Sequence, residues 1–326
     1  VINGTMFMPL GFTVNVSAVQ FNVAAFNQEG HRFGVIACFG ILASFYAWFS
    51  LSKLATTYTS QKGLSIHTII LNIGNDFAYA LFLLDISQLS SKFSVLFTFL
   101  FMSQMFIYFG IQMKELTAVW KSHNENFDDM DLPEVRTVFI KFFAEVGLVL
   151  FVSSVMMTQV FTLPFVSLTY LTSAFIPQII HSTKTQSKKH SDTLYVILVS
   201  LSRILPIAYF TFYENNIQGT YSILIGSVYA SWIFLQALVI ILQNQFGGAF
   251  FLPSEMKPEV FNYRLFTPEY GSECAICLVT IEEGDDAIVT PCHHSFHREC
   301  IARWMEERPI CPICRSSLPP LEEETV

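Results

Sequence analysis

The segment "CAICLVTIEEGDDAIVTPCHHSFHRECIARWMEERPICPICR", from Cys274 to Arg315, holds six of the chain's seven cysteines and three of its eight histidines. Thiolates and imidazoles are the natural ligands of zinc. They come in a regular order: Cys274-x2-Cys277, fourteen residues, Cys292-x-His294-x2-His297-x2-Cys300, ten residues, then Cys311-x2-Cys314. A lone Cys-x-x-Cys would be a weak signal, whereas eight ligands in this order are a strong one. Eight ligands complete two tetrahedral sites with no open coordination position, so two Zn2+ ions are expected here, structural rather than catalytic. With so small an apolar core around them, the free energy of metal binding is the free energy of folding. His293 falls outside the pattern and reads as a partly exposed neighbour.

The rest of the chain has a different composition. Of 326 residues, 52% are hydrophobic, 33 are Phe and only 13% are charged, with a mean hydropathy of +0.47. Soluble domains carry roughly 25% charged residues, so this is a membrane protein. A net charge of −8 argues against a basic nucleic-acid-binding surface. Apolar runs near the ~20 residues that span a bilayer are Phe33 to Leu51, Phe93 to Ile111, Val138 to Met157 and Tyr221 to Leu242. Three weaker runs carry polar residues or proline: Leu64 to Leu84 with Asn72, Asn75 and Asp76; Phe161 to Ile180 with Pro164 and Pro177; Thr193 to Tyr213 with Arg203 and Pro206. The expected fold is an all-α polytopic bundle of about seven helices, the fourth and fifth joined by a tight turn at "MTQVFTLP", followed by a small zinc-bound domain. A re-entrant hairpin there would lower the number to five and preserve parity.

Orientation follows from the cationic residues, which remain cytosolic. A cytosolic C-terminus places Lys53, Lys62, Lys114, Lys121, Arg136, Lys184, Lys188 and Lys189 inside and only Arg32 and Lys92 outside. The two N-x-[ST] sequons, at Asn3 and Asn15, both precede the first helix, on the side where glycosylation occurs. "FTVNVSAVQFNV" alternates as a half-buried strand does. No signal peptide is visible after Val1, and the strand reads as the end of a truncated lumenal β domain. The organisation expected is 1–32 lumenal, 33–243 transmembrane, 244–272 cytosolic linker and 273–326 zinc domain with its tail. A cytosolic tail is reducing, which favours metal ligation over disulfides.

The ligand order resembles the RING finger of the subtype with histidines at the fourth and fifth positions. That resemblance implies a cross-brace, with Cys274, Cys277, His297 and Cys300 on one zinc and Cys292, His294, Cys311 and Cys314 on the other. It also implies ubiquitin ligation by docking a ubiquitin-conjugating enzyme charged with ubiquitin, on an apolar platform mapping onto Ile276, Trp304 and Pro312. Ile301, Trp304 and Met305 share a face of the short helix "IARWMEER", which Pro309 limits; covering the zinc core is the plainer role for Trp304. Arg315 matches the position of the cation that bridges conjugating enzyme and ubiquitin, and its planar fork of donors suits that role. Six cysteines are ligands and the seventh, Cys38, lies in the first membrane helix, so no thiol remains to carry ubiquitin. The finger is expected to work as a scaffold for direct transfer from the conjugating enzyme to a substrate lysine.

"LQALVIILQNQFGGAFFLPSEMKPEVFNYRLF", "CRSSLPP" and "FIPQII" extend the likeness. Together they resemble the multi-spanning Golgi and endosomal transmembrane ubiquitin ligases, the catalytic subunit of the fungal Dsc complex and its plant relatives. This implies membrane-protein substrates, a rhomboid-like subunit, a ubiquitin-like-domain subunit and an adaptor for a p97-type unfoldase. A seven-helix receptor or transporter carrying a regulatory RING finger is the alternative. Charges inside the membrane bear on both readings, because each costs roughly 2.5 to 3.5 kcal/mol near the bilayer centre. Lys141 and Glu145 stand at i, i+4 and can pair. Asp76 and Arg203 have no sequence-local partner and are expected either to pair with each other between helices or, with Lys141 and Glu145, to line a polar groove for the helices of client membrane proteins.

Overall fold

The computed structural model describes residues 2–7, 13–18, 23–54, 61–124, 130–185, 192–253, 261, 263, 266–307, 310–316, 318–319 and 321. Lys188, Lys189 and Pro309 lie outside them. Two strands, β1 (Ile2–Phe7) and β2 (Thr13–Ala18), pair antiparallel with Ile2 opposite Ala18. Asn3 falls on the first and Asn15 on the second.

Six helices among the described residues are long and apolar enough to cross a membrane. They are α1 (Val23–Leu54), α2 (Ile66–Ser87), α3 (Ser91–His123), α4 (Leu132–Thr158), α7 (Thr193–Phe212) and α8 (Ile223–Phe246). At 1.5 Å per residue α1 is ~48 Å long, so it outruns the hydrocarbon core and begins well before Phe33, where the apolar run starts. α2 is the central helix, with 67% of its apolar window buried; α4 is peripheral at 17% and gives most of its surface to lipid. Close approach depends on small residues, as expected where lipid and core are equally apolar. A Cβ at Gly74 of α2 would collide with Ser153 of α4, and one at Gly226 of α8 with Phe212 of α7.

The fifth apolar run is not one helix. It is two half-helices, α5 (Pro164–Thr172) and α6 (Ile176–Thr185), interrupted at Ser173, Ala174 and Phe175. Pro177 at the second position of α6 suits a helix start, because its missing N–H is one the first turn does not need. The pair nevertheless runs the length of α8. Tyr229 Oη donates to the Phe165 carbonyl at 2.9 Å, Gln236 Nε2 to Thr172 at 2.9 Å and Gln243 Nε2 to Ile179 at 3.1 Å. The contacts advance seven residues at a time along both partners, so α5–α6 lies parallel to α8. From Tyr229 to Gln243 a helix rises about 21 Å, so the broken run follows α8 over most of the thickness of a bilayer core.

Aromatic packing closes the bundle near Phe33, whose ring centroid lies 4.9 Å from that of Tyr209, 5.0 Å from Phe210 and 5.8 Å from Phe97. The C-terminal domain has its own core of Ile281, Ile288, Phe296, Ile301 and Met305, into which Tyr263 and Leu318 also pack. There β3 (Ala287–Val289) and β4 (Ser295–His297) form a hairpin, followed directly by α9 (Arg298–Glu307).

Candidate metal centre and the polar core of the membrane domain

The hairpin and the helix after it bring the ligands together. Cys292 and His294 stand in the β3–β4 turn, which Thr290 closes through its N–H to the His294 carbonyl at 2.9 Å. His297 ends β4, and Cys300 lies in the first turn of α9. Two Cys-x-x-Cys loops complete the set with the same turn: the Leu278 N–H donates to the Cys274 carbonyl at 2.8 Å and the Arg315 N–H to Cys311 at 2.9 Å. Leu278 and Arg315 both take φ of 61°, and His293, directly after Cys292, takes 62°. These are left-handed backbone positions that non-glycine residues seldom adopt, and all three directly follow a ligand.

The ligand atoms of Cys274, Cys277, His297 and Cys300 lie within 4.8 Å of one another, as do those of Cys292, His294, Cys311 and Cys314. A tetrahedral zinc–thiolate site requires sulfur separations of about 3.8 Å, so small side-chain adjustments close both groups. Each group is three cysteines and one histidine, a closed donor set that suits structural zinc. The Nδ1 atoms of both histidines face the sulfurs, His297 at 3.3 Å from Cys277 and His294 at 3.4 Å from Cys292. Along the chain the two groups alternate in pairs, so neither site can form without closing the loop that carries the other. His293 is exposed and stacks edge-on to Phe266 at 5.2 Å.

Groups around the ligands tune their acidity. Burial pushes the Cys274 thiol up, but the N–H groups of Cys277, His297 and Ile276 outweigh it and bring it down to about 6. Burial likewise raises Cys292, and the Ser316 and Thr290 hydroxyls bring it to about 7. Cys300 and Cys311 are pushed up to about 11, first by burial and then by neighbouring thiols. Zinc must displace those protons. Asp285 Oδ2 stands 3.4 Å from His297 Nε2, the carboxylate that orients a metal-bound imidazole. Sequence reasoning missed Asp285, Thr290 and Ser316; an acidic residue or hydroxyl close in sequence to a ligand is the only signal they give.

Ile276 and Trp304 are half-buried and pack against the zinc-domain core; Pro312 is half-buried beside Cys311, and Arg315 is exposed. Ile301 and Met305 turn inward instead. The Trp304 indole donates to the Ile310 carbonyl at 2.9 Å, which ties α9 to the second Cys-x-x-Cys loop. Leu278 and Ile313 flank these residues as exposed apolar side chains.

In the membrane domain Asp76 and Arg203 pair at 2.6 Å. The other Asp76 oxygen accepts from Gln112 Nε2 at 2.5 Å, Trp48 Nε1 at 3.1 Å and Ser44 Oγ at 3.4 Å. Gln112 reaches it from a π-helical turn, Tyr108–Gln112, within α3; such turns have no recognisable sequence signature. Lys141 and Glu145 do not join this group. Both are exposed on α4, and Glu145 pairs with His67 at 3.2 Å rather than with Lys141. Two further intramembrane polar residues serve the break between α5 and α6. Asn75 Nδ2 donates to the Leu171 carbonyl at 2.8 Å and Gln236 to Thr172, the carbonyls that the interrupted helix leaves open. Gln178 in "FIPQII" accepts from the Ser65 N–H at 2.7 Å and anchors the start of α2. Cys38 is exposed on α1.

Comparison with known proteins agrees with both halves. A family described as transmembrane E3 ligase/DUF2921 transmembrane domain matches residues 26–256, and a Ring finger domain matches 272–315. The chain is 30% identical over 230 residues to the transmembrane E3 ubiquitin-protein ligase FLY1 of Arabidopsis thaliana, and 28% over 225 residues to FLY2 of the same plant. Each alignment covers 66% of this chain and 40% of the relative. It is 32% identical over 174 residues to the DSC E3 ubiquitin ligase complex subunit 1 of Schizosaccharomyces pombe, across 45% of this chain and 25% of that one. No solved structure matches. The chain thus spans about two fifths of the length of the plant relatives.

Proposed function

Because the chain belongs to the transmembrane E3 ligase family and carries a RING finger of its own, we propose that it is a RING-type ubiquitin ligase acting on membrane proteins. The observation that carries this reading is the interleaved pair of closed Cys3His sites on the same chain as the family's membrane domain. Bound zinc supplies no reaction chemistry here; it holds the two Cys-x-x-Cys loops and α9 in one arrangement. Ile276, Trp304 and Pro312 receive the conjugating enzyme, and Arg315 bridges it to ubiquitin. Ubiquitin then passes from the enzyme's thioester to a client lysine, with the thiolate leaving as the amide forms. Orientation of the donor, rather than a covalent ligase intermediate, lowers the barrier.

Six long helices, with the broken run counted as a seventh crossing, support opposite sides for the two ends, and the cationic loops favour a cytosolic finger and a lumenal β hairpin. Residence in the Golgi or endosome, quality control of membrane proteins, companion subunits like those of a Dsc complex and a p97-type unfoldase adaptor complete the proposal. The name of the fission-yeast relative, a complex subunit, supports such an assembly. The test is ubiquitin discharge from a charged conjugating enzyme by the purified chain in nanodiscs. Trp304→Ala is expected to weaken enzyme binding roughly 30-fold, the ~2 kcal/mol of a buried aromatic anchor. Arg315→Ala is expected to leave binding within twofold and slow discharge at least tenfold; wild-type discharge by that variant would refute its bridging role.

A further inference from the structure

Beside the Asp76–Arg203 pair lies a cavity of about 370 Å³ between α1, α2, α3, the end of α4, α5, α7 and the start of α8. Most of its wall is apolar, contributed by Phe82, Phe161, Leu168, Ile207 and Phe210. A polar part of the wall is different. Asn75, Tyr79, Gln104 and Arg203 all line the cavity, and each has a buried polar atom without a hydrogen-bond partner: Asn75 Oδ1, Tyr79 Oη, Gln104 Nε2 and Arg203 Nε. Asn75 and Gln104 are each only 2% exposed. Pro206, lacking an N–H, also withholds the bond that α7 would make to the Ser202 carbonyl on the same wall. Buried polar groups left unpaired cost about 1–3 kcal/mol each, so four around one cavity are a standing demand for a partner.

Three properties of that partner can be read from the site. It has both donors and acceptors, because the unclaimed atoms include the donors of Gln104 and Arg203 and the acceptor of Asn75. It is uncharged, because the Asp76 carboxylate is already met by Arg203, Gln112, Trp48 and Ser44 and no free counter-charge remains for it. It is mostly hydrocarbon, to match the walls. The volume falls within the ~300–1,000 Å³ range of small-molecule sites.

We propose that this cavity is a binding site for a neutral single-chain lipid. Its hydroxylated head lies among Asn75, Tyr79, Gln104 and Arg203, where the soft terminal torsion of Gln104 turns its amide toward it, and its chain lies along Phe82, Phe161 and Phe210. The site stands apart from ubiquitin transfer and does not rest on the ligase reading.

The experiment places the full chain in phosphatidylcholine nanodiscs with a monoacylglycerol bearing a diazirine on its acyl chain, and maps the photo-crosslinks by mass spectrometry. Labelling is expected on cavity residues of α2, α5 and α7, saturable, and displaced at least tenfold better by unlabelled monoacylglycerol than by a fatty acid of equal length. Combining Tyr79→Phe with Gln104→Leu should cut labelling at least fivefold, and Ile207→Trp, which fills the apolar end, should abolish it. Lys141→Gln, on the exposed face of α4, should leave it unchanged. If the double variant fails to fold, Ile207→Trp decides. Labelling confined to outward helix faces, equal displacement by the fatty acid, or indifference to Ile207→Trp would each overturn the site. So would displacement of the probe by a client-helix peptide that labels the same residues.

Discussion

Polar contacts carry specificity in both halves of this protein, but against different backgrounds. In the membrane domain an apolar side chain gains little by leaving lipid, so α2, α7 and α8 are placed by small-residue contacts and by a few buried polar groups: Asp76 with Arg203, Asn75 and Gln236 on the opened carbonyls of α5. The finger is in water and does gain by burial, yet its core of Ile281, Ile288, Phe296 and Ile301 is small, and eight ligands in two groups do the joining. One half is held by many weak contacts across a large interface, the other by two strong local ones. Their responses to perturbation should therefore separate.

Chelation should give the largest separation. Structural zinc in small domains is worth roughly 10–16 kcal/mol at neutral pH, so stripping it should unfold the finger while the helical signal of α1–α8 persists; a finger that keeps its fold, or binds one zinc, would break the contrast. Acidity should act in the same direction. The metal-free site binds more protons than the loaded one, and Cys300 and Cys311 hold theirs up to about 11. Zinc loss to a fixed chelator should therefore quicken as pH falls from 8 to 6.

Next in size is Asp76→Asn, which leaves Arg203 buried without its counter-charge, a loss of about 3–5 kcal/mol. The membrane domain should lose thermal stability and the zinc stoichiometry should stay at two per chain. The double variant Asp76→Asn with Arg203→Met should recover much of the loss; equal destabilisation by single and double variants would show that the pair is not what matters there.

Asp285→Asn probes the finger more gently. It should weaken zinc at the His297 site about 10- to 100-fold, the usual range for an outer partner of a ligating histidine, and leave the His294 site unchanged. Smallest is Gln236→Leu, which opens the Thr172 carbonyl at a cost of about 1 kcal/mol. Faster amide exchange at Ser173 to Phe175, with the rest of α8 unaffected, would identify it as a local support of the break.

The sequence by itself determined what depends on residue type and local spacing. Which side chains can hold zinc, and that there are enough for two closed sites, was legible because ligand chemistry resides in single residues and the loop turns are local. Long apolar runs were legible because partition into lipid depends on composition. The fifth run, Phe161 to Ile180, was expected as one helix despite its prolines; neither its interruption at 173–175 nor the way α5 and α6 together follow α8 was legible. Tertiary structure decided which polar side chain meets which: Asp76 with Gln112, Trp48 and Ser44, Glu145 with His67 rather than Lys141, Gln236 with Thr172. The physical reason is that these helices are apolar on nearly every face, since lipid and core demand the same side chains. Periodicity then says little about rotation, and the partners are chosen only when the helices pack and each buried polar atom must find whatever the neighbouring backbone presents.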